Sequence, residues 1–367
     1  MELGYAISSE EHRPLDLVDN AVRAEEAGFG FALISDHFHP WTDRQGQSTF
    51  VWGVLGGIAA KTERLVVGTG VTCPILRLHP AIVAQAAATA AAMLPGRFFL
   101  GVGTGENLNE HVLGQRWPAT HVRREMLEEA IGLMRLLWEG RLESHRGRHF
   151  TLENARIYTL PDEPIDVLVA AGGVEAAELA GRIGDGLIGT APEEAIVDAF
   201  ADAGGAGKPR YAQATVCWAE REKDARRTAL EWWPNAALRG PLSQELPLPS
   251  HFEDATAMVT EKDVAQVVVC GPDIEGHLEL IEKYEKAGFT HVYVHQVGPD
   301  QDGFLDFYSS EILPRLREGD RRRVTRRRQG SSTHIAPHSD HPTRGAPVWP
   351  PRDGGNPGAV TVDAMVL

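Results

Sequence analysis

Phe31-Ala32-Leu33-Ile34-Ser35-Asp36-His37 is a short apolar run that stops on an acid and an imidazole, with Phe38-His39-Pro40-Trp41 directly behind it. Four apolar residues bounded by polar breaks read as a buried strand rather than a helix. Such a strand delivers two proton-active groups to one rim of a sheet. The pattern returns at Phe98-Phe99-Leu100-Gly101-Val102, which runs into Gly103-Thr104-Gly105-Glu106. In parallel α/β architectures the chemistry gathers at the carboxyl ends of the strands, so two such endings point to an enzyme.

Outward from these two runs, strands and amphipathic helices alternate. The strand-like runs are Leu3–Ile7, Phe31–Ile34, Leu65–Val71, Phe98–Val102, Ile165–Ala170, Gly186–Gly189, Tyr211–Ala219 and His291–His295. Helical spacing marks Pro14–Ala27, Phe50–Ala60, Pro80–Leu94, Arg123–Trp138, Glu175–Ile183, Glu193–Ala203, Ala225–Trp233, Glu275–Ala287 and Phe304–Leu316. Gly140–Leu160 interrupts as a strand-like insertion and Pro234–Pro249 as a Pro-rich one, while Val264–Val269 fits helix or strand equally. Eight strands alternating with helices over about 300 residues predict a (β/α)8 TIM barrel with insertions. The competitor is a doubly wound open sheet. The spacing Gly101-x-Gly103-x-Gly105 departs from the G-x-G-x-x-G of a dinucleotide turn and argues against it.

Composition narrows the class. The chain has 367 residues and a net charge of −15. From Gly319 onward eight arginines oppose four aspartates, so the tail carries +4 and residues 1–318 carry −19. A body this acidic is unsuited to nucleic acid, whose phosphates need clustered Lys and Arg. Cys73, Cys217 and Cys270 lie far apart, without a CxxC pair, which predicts neither disulfides nor a zinc knuckle and suits a reducing cytoplasm. No signal peptide is expected at Met1-Glu2-Leu3-Gly4-Tyr5, and no apolar run reaches the roughly 20 residues that span a bilayer. The expected organisation is one catalytic domain over residues 1–318. Residues 319–367, rich in Arg, Pro and Gly, lack apolar periodicity and are expected to be disordered. His334, His338 and His341 there read as solvated tail rather than a metal site.

Several residues carry chemistry on their own terms, each with a plainer alternative. His37 at a strand end can hold or pass a proton near neutral pH, although a histidine on an apolar strand is usually a satisfied core residue. Trp41 is either core or a flat wall for a ring. Thr69-Gly70-Val71-Thr72-Cys73-Pro74 lets backbone approach a ligand, or is a tight turn. Glu106 either exchanges a proton or caps the segment holding Asn107, Asn109 and Glu110. Ala171-Gly172-Gly173 opens a helix and suits phosphate, or is an ordinary βα turn.

Taken together, Ser35-Asp36-His37-Phe38 with Pro40-Trp41, Gly101–Glu106 with Leu108-Asn109-Glu110, and Ala170-Ala171-Gly172-Gly173 with Ala180-Gly181-Arg182 and Gly184-Asp185-Gly186 resemble the luciferase-like family of flavin and deazaflavin oxidoreductases. Within it they are similar to the coenzyme F420-dependent branch, which includes glucose-6-phosphate dehydrogenases and related alcohol dehydrogenases. The similarity runs over about residues 3–317. The resemblance implies a deazaflavin at the carboxyl ends of the strands of a barrel, in a homodimer. It implies a bulge at Gly70-Val71, often a non-proline cis peptide. It assigns the cofactor to Asp36, Gly70, Val71, Cys73, Thr104, Gly105, Asn109, Ala171, Gly172, Val174 and Glu175. It makes His37 the acid/base at a substrate hydroxyl, Trp41 a wall at the reacting carbon and Glu106 a proton partner of the ring. Thr190 and Glu193 would face the substrate.

Where sugar-phosphate members carry basic rim residues, this chain has Glu193, a position near Asp254 and about Val267. An acid in place of a lysine repels phosphate. The expected activity is therefore hydride transfer between F420 and an uncharged alcohol, carbonyl or enone. The alternatives are an F420-dependent glucose-6-phosphate dehydrogenase, an FMN-dependent luciferase-like monooxygenase, and a non-catalytic deazaflavin-binding barrel. Arg239, Lys262 and Arg210 are the basic groups to examine should phosphate prove to be bound.

Overall fold

A computed structural model describes residues 1–238 and 240–317. The tail expected to be disordered, and Arg239, lie outside them. The strands are β1 (Glu2–Ile7), β2 (Phe31–Ile34), β3 (Val66–Thr69), β4 (Phe98–Val102), β5 (Glu143–Arg146), β6 (Thr151–Ala155), β7 (Val167–Ala170), β8 (Gly186–Gly189), β9 (Arg210–Cys217), β10 (Val269–Cys270) and β11 (His291–Gln296). Parallel pairing runs β1-β2-β3-β4-β7-β8-β9-β11 and returns from β11 to β1, which closes an eight-stranded barrel. Closure removes the open-sheet alternative. β10 is a two-residue addition beside the end of β9. The ambiguous 264–269 run is neither element throughout: a one-turn helix ends at Val264 and β10 begins at Val269.

Side chains alternate across the barrel wall, as a strand period of two requires. Ala6, Phe31, Leu33, Phe99, Leu168, Ile188 and Tyr293 pack together inside the barrel. Leu3, Tyr5, Ile7, Ala32, Ile34, Leu100 and Val102 face the helices. Both faces of most strands are buried, so they read as largely apolar runs; β9 is the exception, with Gln213 and Thr215 only half-buried. Gly4 and Gly68 make room for large inward rings. A Cβ at Gly4 would lie 2.4 Å from the Phe31 ring, and one at Gly68 would lie 2.1 Å from that of Phe99.

The outer layer follows its local signals. Helix α1 (Pro14–Ala27) starts with Pro at its first position and stops at Gly28, whose φ of 98° is left-handed. Its Glu25 carboxylate accepts N–H bonds from Glu63, Arg64 and Leu65, which fixes the chain entering β3. The 140–160 insertion is the antiparallel β5–β6 hairpin. The Pro-rich insertion forms short turns, Pro234–Ala237 and Leu242–Glu245, that cross the carboxyl rim. Asn107 donates to the Glu245 carbonyl, and buried Arg123 donates to Gln244. Among the described residues no helix is long and apolar enough to cross a membrane.

Glu25 is a direct test of this packing. Burial works against its charge, yet the N–H bonds from Arg64, Leu65 and Glu63 hold its pKa below the ordinary value. Glu25→Ala is expected to cost about 1.5–3 kcal/mol at neutral pH, the range for bonds to a charged group. A lowered carboxylate pKa stabilises above its unfolded value and is lost as pH falls through the folded one. The deficit in urea unfolding should therefore shrink in acid. An unchanged neutral midpoint would show that these bonds do not hold α1 to β3.

Candidate active site

The carboxyl ends of the barrel strands surround a cavity of about 460 Å³. His37, Trp41, Gly70, Val71, Thr104, Gly105, Glu106, Ala171, Gly172, Glu175 and Thr190 all line it, so most of the residues singled out from the sequence converge there. Asp36, Cys73, Asn109, Val174 and Glu193 are not part of its wall. Asp36 is buried beneath His37, Cys73 packs behind Gly105, and Asn109 is buried behind Glu106. Val174 is the half-exposed first residue of the helix Val174–Ile183, and Glu193 is exposed ahead of the helix at 194–200.

His37 is the centre of the polar wall, with its side chain only 11% exposed. Its Nδ1 stands 2.8 Å from Oε1 of Glu10, and its Nε2 stands 4.0 Å from Oε2 of Glu106. Glu10 follows β1 by three residues and is 2% exposed. Its Oε2 accepts hydroxyl bonds from Ser8 and Ser35. Burial opposes charge on both members of the pair, but mutual attraction wins. It raises His37 to about 9, with help from Glu106 and Asp36, and with the Ser35 hydroxyl holds Glu10 at about 2. At neutral pH the pair is imidazolium and carboxylate. Trp41 stands edge-on to the His37 ring at 5.1 Å and to Phe252 at 5.2 Å, so it is both pocket wall and packed side chain.

A second network fixes the strand ends from below. Arg77 donates to the Asp36 carboxylate at 2.8 Å and to the Asp36 carbonyl, and contacts Glu110 at 3.4 Å. Thr72 donates to the other Asp36 oxygen. Two carboxylates share one guanidinium, and burial pushes Glu110 up to about 7. Asn109 accepts from the backbone N–H groups of Phe38 and His39 and donates to Glu106. Glu106 makes no capping bond to the helix that follows it, so its carboxylate is not used as a cap.

The opposite wall is mostly backbone. The Gly70–Val71 peptide is cis. A Cβ at Gly103 would press on Val71, and Gly105 takes a φ of 70° against Cys73. Cβ atoms at Gly172 or Gly173 would meet nothing within 4 Å, so the turn before the helix at 174–183 lies open to the cavity. Arg124 lines the cavity beside this turn, paired with Glu175 at 3.0 Å. Gln213, Trp233, Ser243, Gln244 and Tyr293 complete the side nearer Trp41 and Thr190.

The profile described as luciferase-like monooxygenase matches residues 1–291. A protein of Beutenbergia cavernae named F420-dependent glucose-6-phosphate dehydrogenase is 38% identical over 335 residues, covering 88% of this chain and 99% of its own. The chain belongs to the luciferase-like family. Among solved structures, an F420-dependent secondary alcohol dehydrogenase bound to an F420-acetone adduct is 30% identical with a TM-score of 0.78, covering 85% of this chain and 98% of that one. The F420-dependent tetrahydromethanopterin reductase of Methanopyrus kandleri shares the fold at 21% identity, with a TM-score of 0.69 and coverage of 86% and 99%.

Within this luciferase-like barrel, Glu10 is a site residue that strand and helix periodicity does not single out. The signal was present: Ser8-Ser9-Glu10-Glu11 follows β1 as Ser35-Asp36-His37 follows β2. Glu10→Gln tests its part in the pair. Without the carboxylate charge, burial dominates at His37, and its pKa is expected to fall from about 9 to near or below the ordinary ~6.5. Ring NMR titration measures this. A value still near 9 would assign the shift to Glu106 or Asp36 instead.

Proposed function

We propose that this luciferase-like protein is a coenzyme F420-dependent oxidoreductase that moves hydride between the deazaflavin and an uncharged alcohol or its carbonyl partner. The observation that carries the proposal is His37, charge-paired with Glu10, facing a cavity whose opposite wall is open glycine backbone. The named relatives support F420 as the cofactor.

The residues fit such a group. Val71, Thr104 and Gly105 would hold the ring system, and the Ala171–Glu175 turn would take the phosphate-bearing tail. Gly172 and Gly173, which line the cavity with open space where a side chain would sit, lead into a ten-residue helix, an arrangement suited to anions. Arg124 adds the matching charge. When bound, a deazaflavin supplies a carbon centre that exchanges hydride. The chain's own work is proton handling and orientation. His37 takes the hydroxyl proton as an alcohol is oxidised, or returns it as a carbonyl is reduced. Glu10 fixes the ring and its charge state. Glu106 offers a second carboxylate on the other side of His37, and Trp41 and Trp233 shield the reacting carbon from water.

A sugar phosphate is the second reading, favoured by the name of the Beutenbergia cavernae relative. The cavity argues against it. Among the described residues Arg124 alone brings a guanidinium or ammonium to the lining, and it stands beside the turn that would take the cofactor's own phosphate tail. Arg210 begins β9, at the opposite end of the barrel from the site, and Lys262 is not part of the lining. Each charge-assisted phosphate contact is worth about 1.5–3 kcal/mol, so losing two leaves a large deficit.

A substrate panel followed by deazaflavin absorbance is the test. Secondary alcohols, aldehydes and enones should exceed glucose-6-phosphate in kcat/KM by about a hundredfold or more. Glucose-6-phosphate at the head of the panel would overturn the uncharged-substrate reading. Because oxidation needs His37 neutral, kcat/KM for alcohols should rise with pH through about 9, and reduction should fall through the same range. His37→Ala should lower turnover by about two to four powers of ten and abolish that dependence.

A further inference from the structure

Trp41 and Trp233 line the cavity from two segments far apart in sequence. Trp41 belongs to the loop after β2, and Trp233 follows the last residue of the helix Glu222–Trp232. One buried side chain joins these segments. Gln45 is 2% exposed. Its Oε1 accepts the backbone N–H of Trp41 at 2.8 Å and that of Thr42 at 3.4 Å, and its Nε2 donates to the Trp232 carbonyl at 2.9 Å. An amide oxygen only accepts and an amide NH2 only donates, so these partners fix which way the group points. The Trp232 carbonyl is among the last four of its helix, which have no acceptor role within it. Without the Gln45 amide, backbone groups on both segments lose a partner. The same segments meet again at the surface, where Arg44 pairs with Glu231 and stands 4.8 Å over the Trp232 ring. Both of those charged side chains are half exposed, and exposed pairs hold little.

We propose that Gln45 is a positioning residue that sets the spacing of the Trp41 and Trp233 walls, and with it the size of alcohol or carbonyl compound that the site accepts. The proposal rests on the oxidoreductase reading. Trp41 stands edge-on to His37 at 5.1 Å, so the place of its ring decides where a substrate hydroxyl can approach the imidazole. Trp233 is backed by the His295 ring at 4.4 Å. Trp41 also packs against the apolar cluster that contains Trp233. Apolar contact is non-directional and lets surfaces slide, whereas hydrogen bonds from one rigid amide to two backbones hold a defined separation. A fixed gap grips a small substituent and refuses a bulky one, and a loosened gap does neither. Gln45 is not part of the cavity wall, so it acts on substrate through the two tryptophans.

Gln45→Met keeps the length of the side chain and loses its hydrogen bonds. Gln45→Glu keeps an acceptor for the Trp41 and Thr42 N–H groups and puts an oxygen where the donor to Trp232 stood, so it breaks the tie alone. The readout is kcat/KM with F420 for isopropanol and for the bulkier cyclohexanol. The isopropanol-to-cyclohexanol ratio should fall about tenfold or more in both variants. The change should lie in KM, with kcat for isopropanol within about threefold and F420 affinity within about twofold of the parent. A parental ratio in Gln45→Glu, or an equal loss of kcat for both alcohols, would overturn the proposal. Arg44→Ala breaks only the surface pair and should leave the ratio within about twofold; a shift as large as that of Gln45→Met would assign the spacing to that pair instead. Amide exchange of the ligand-free protein reads the tie without turnover. The Trp41 N–H should be protected in the parent and in Gln45→Glu, and should exchange about tenfold faster or more in Gln45→Met. Fast exchange in the parent would overturn the role of Gln45 while leaving the oxidoreductase reading intact. Failure of the parent to use F420 with any alcohol or carbonyl would overturn that reading itself, whatever the exchange shows.

Discussion

A carboxylate and an imidazole 2.8 Å apart at the floor of an apolar barrel hold each other in the charged state. Neither charge would be stable there alone, because burial disfavours both and removing one partner of a buried pair typically costs about 3–5 kcal/mol. Much of the neighbouring structure serves this pair. Ser8 and Ser35 donate to Glu10, Asn109 ties the backbone after His37 to Glu106, and the Ser48 hydroxyl donates to the His37 carbonyl. The rim can therefore hold a proton-transfer group in one place while the rest of the cavity stays open.

Arg77 extends the same constraint to a third strand end. It comes from the segment after β3 and reaches Asp36 after β2 and Glu110 after β4. Its position explains why Asp36, which the family resemblance places on the cofactor, has both carboxylate oxygens engaged by protein. The chain answers the excess of carboxylates with a carboxyl at Glu110 that keeps its proton to about pH 7. The rim is thus charge-balanced around one guanidinium, and the loops bearing His37 and Glu106 are held to each other through it.

The barrel was legible because its strands are buried on both faces. All but β9, which Gln213 and Thr215 interrupt, read as largely apolar sequence, and the limits agree with the pairing to within about two residues. Val264–Val269 was not legible, since a six-residue run that is apolar except for Gln266 and has no period carries no choice between helix and strand. At the site, His37, Glu106 and the glycine turns could be read because they sit at strand ends with few competing explanations. Glu10 and Arg77 could not be placed by periodicity. Their roles depend on contacts between residues 27 and 41 positions apart, which the pairing of β1 with β2 and of β2 with β3 creates. Gln244 belongs to an irregular insertion, and Trp233 caps the helix just before it; no local pattern encodes the insertion's course across the rim.

The central claim is that the open glycine wall and the His37 face together form a deazaflavin site. Equilibrium titration with F420 and with FMN, followed by cofactor fluorescence, tests it most directly. The account predicts an F420 Kd at or below the micromolar range, with FMN weaker by at least about a hundredfold, a gap of about 2.7 kcal/mol. FMN binding as tight as F420, or tighter, would contradict it.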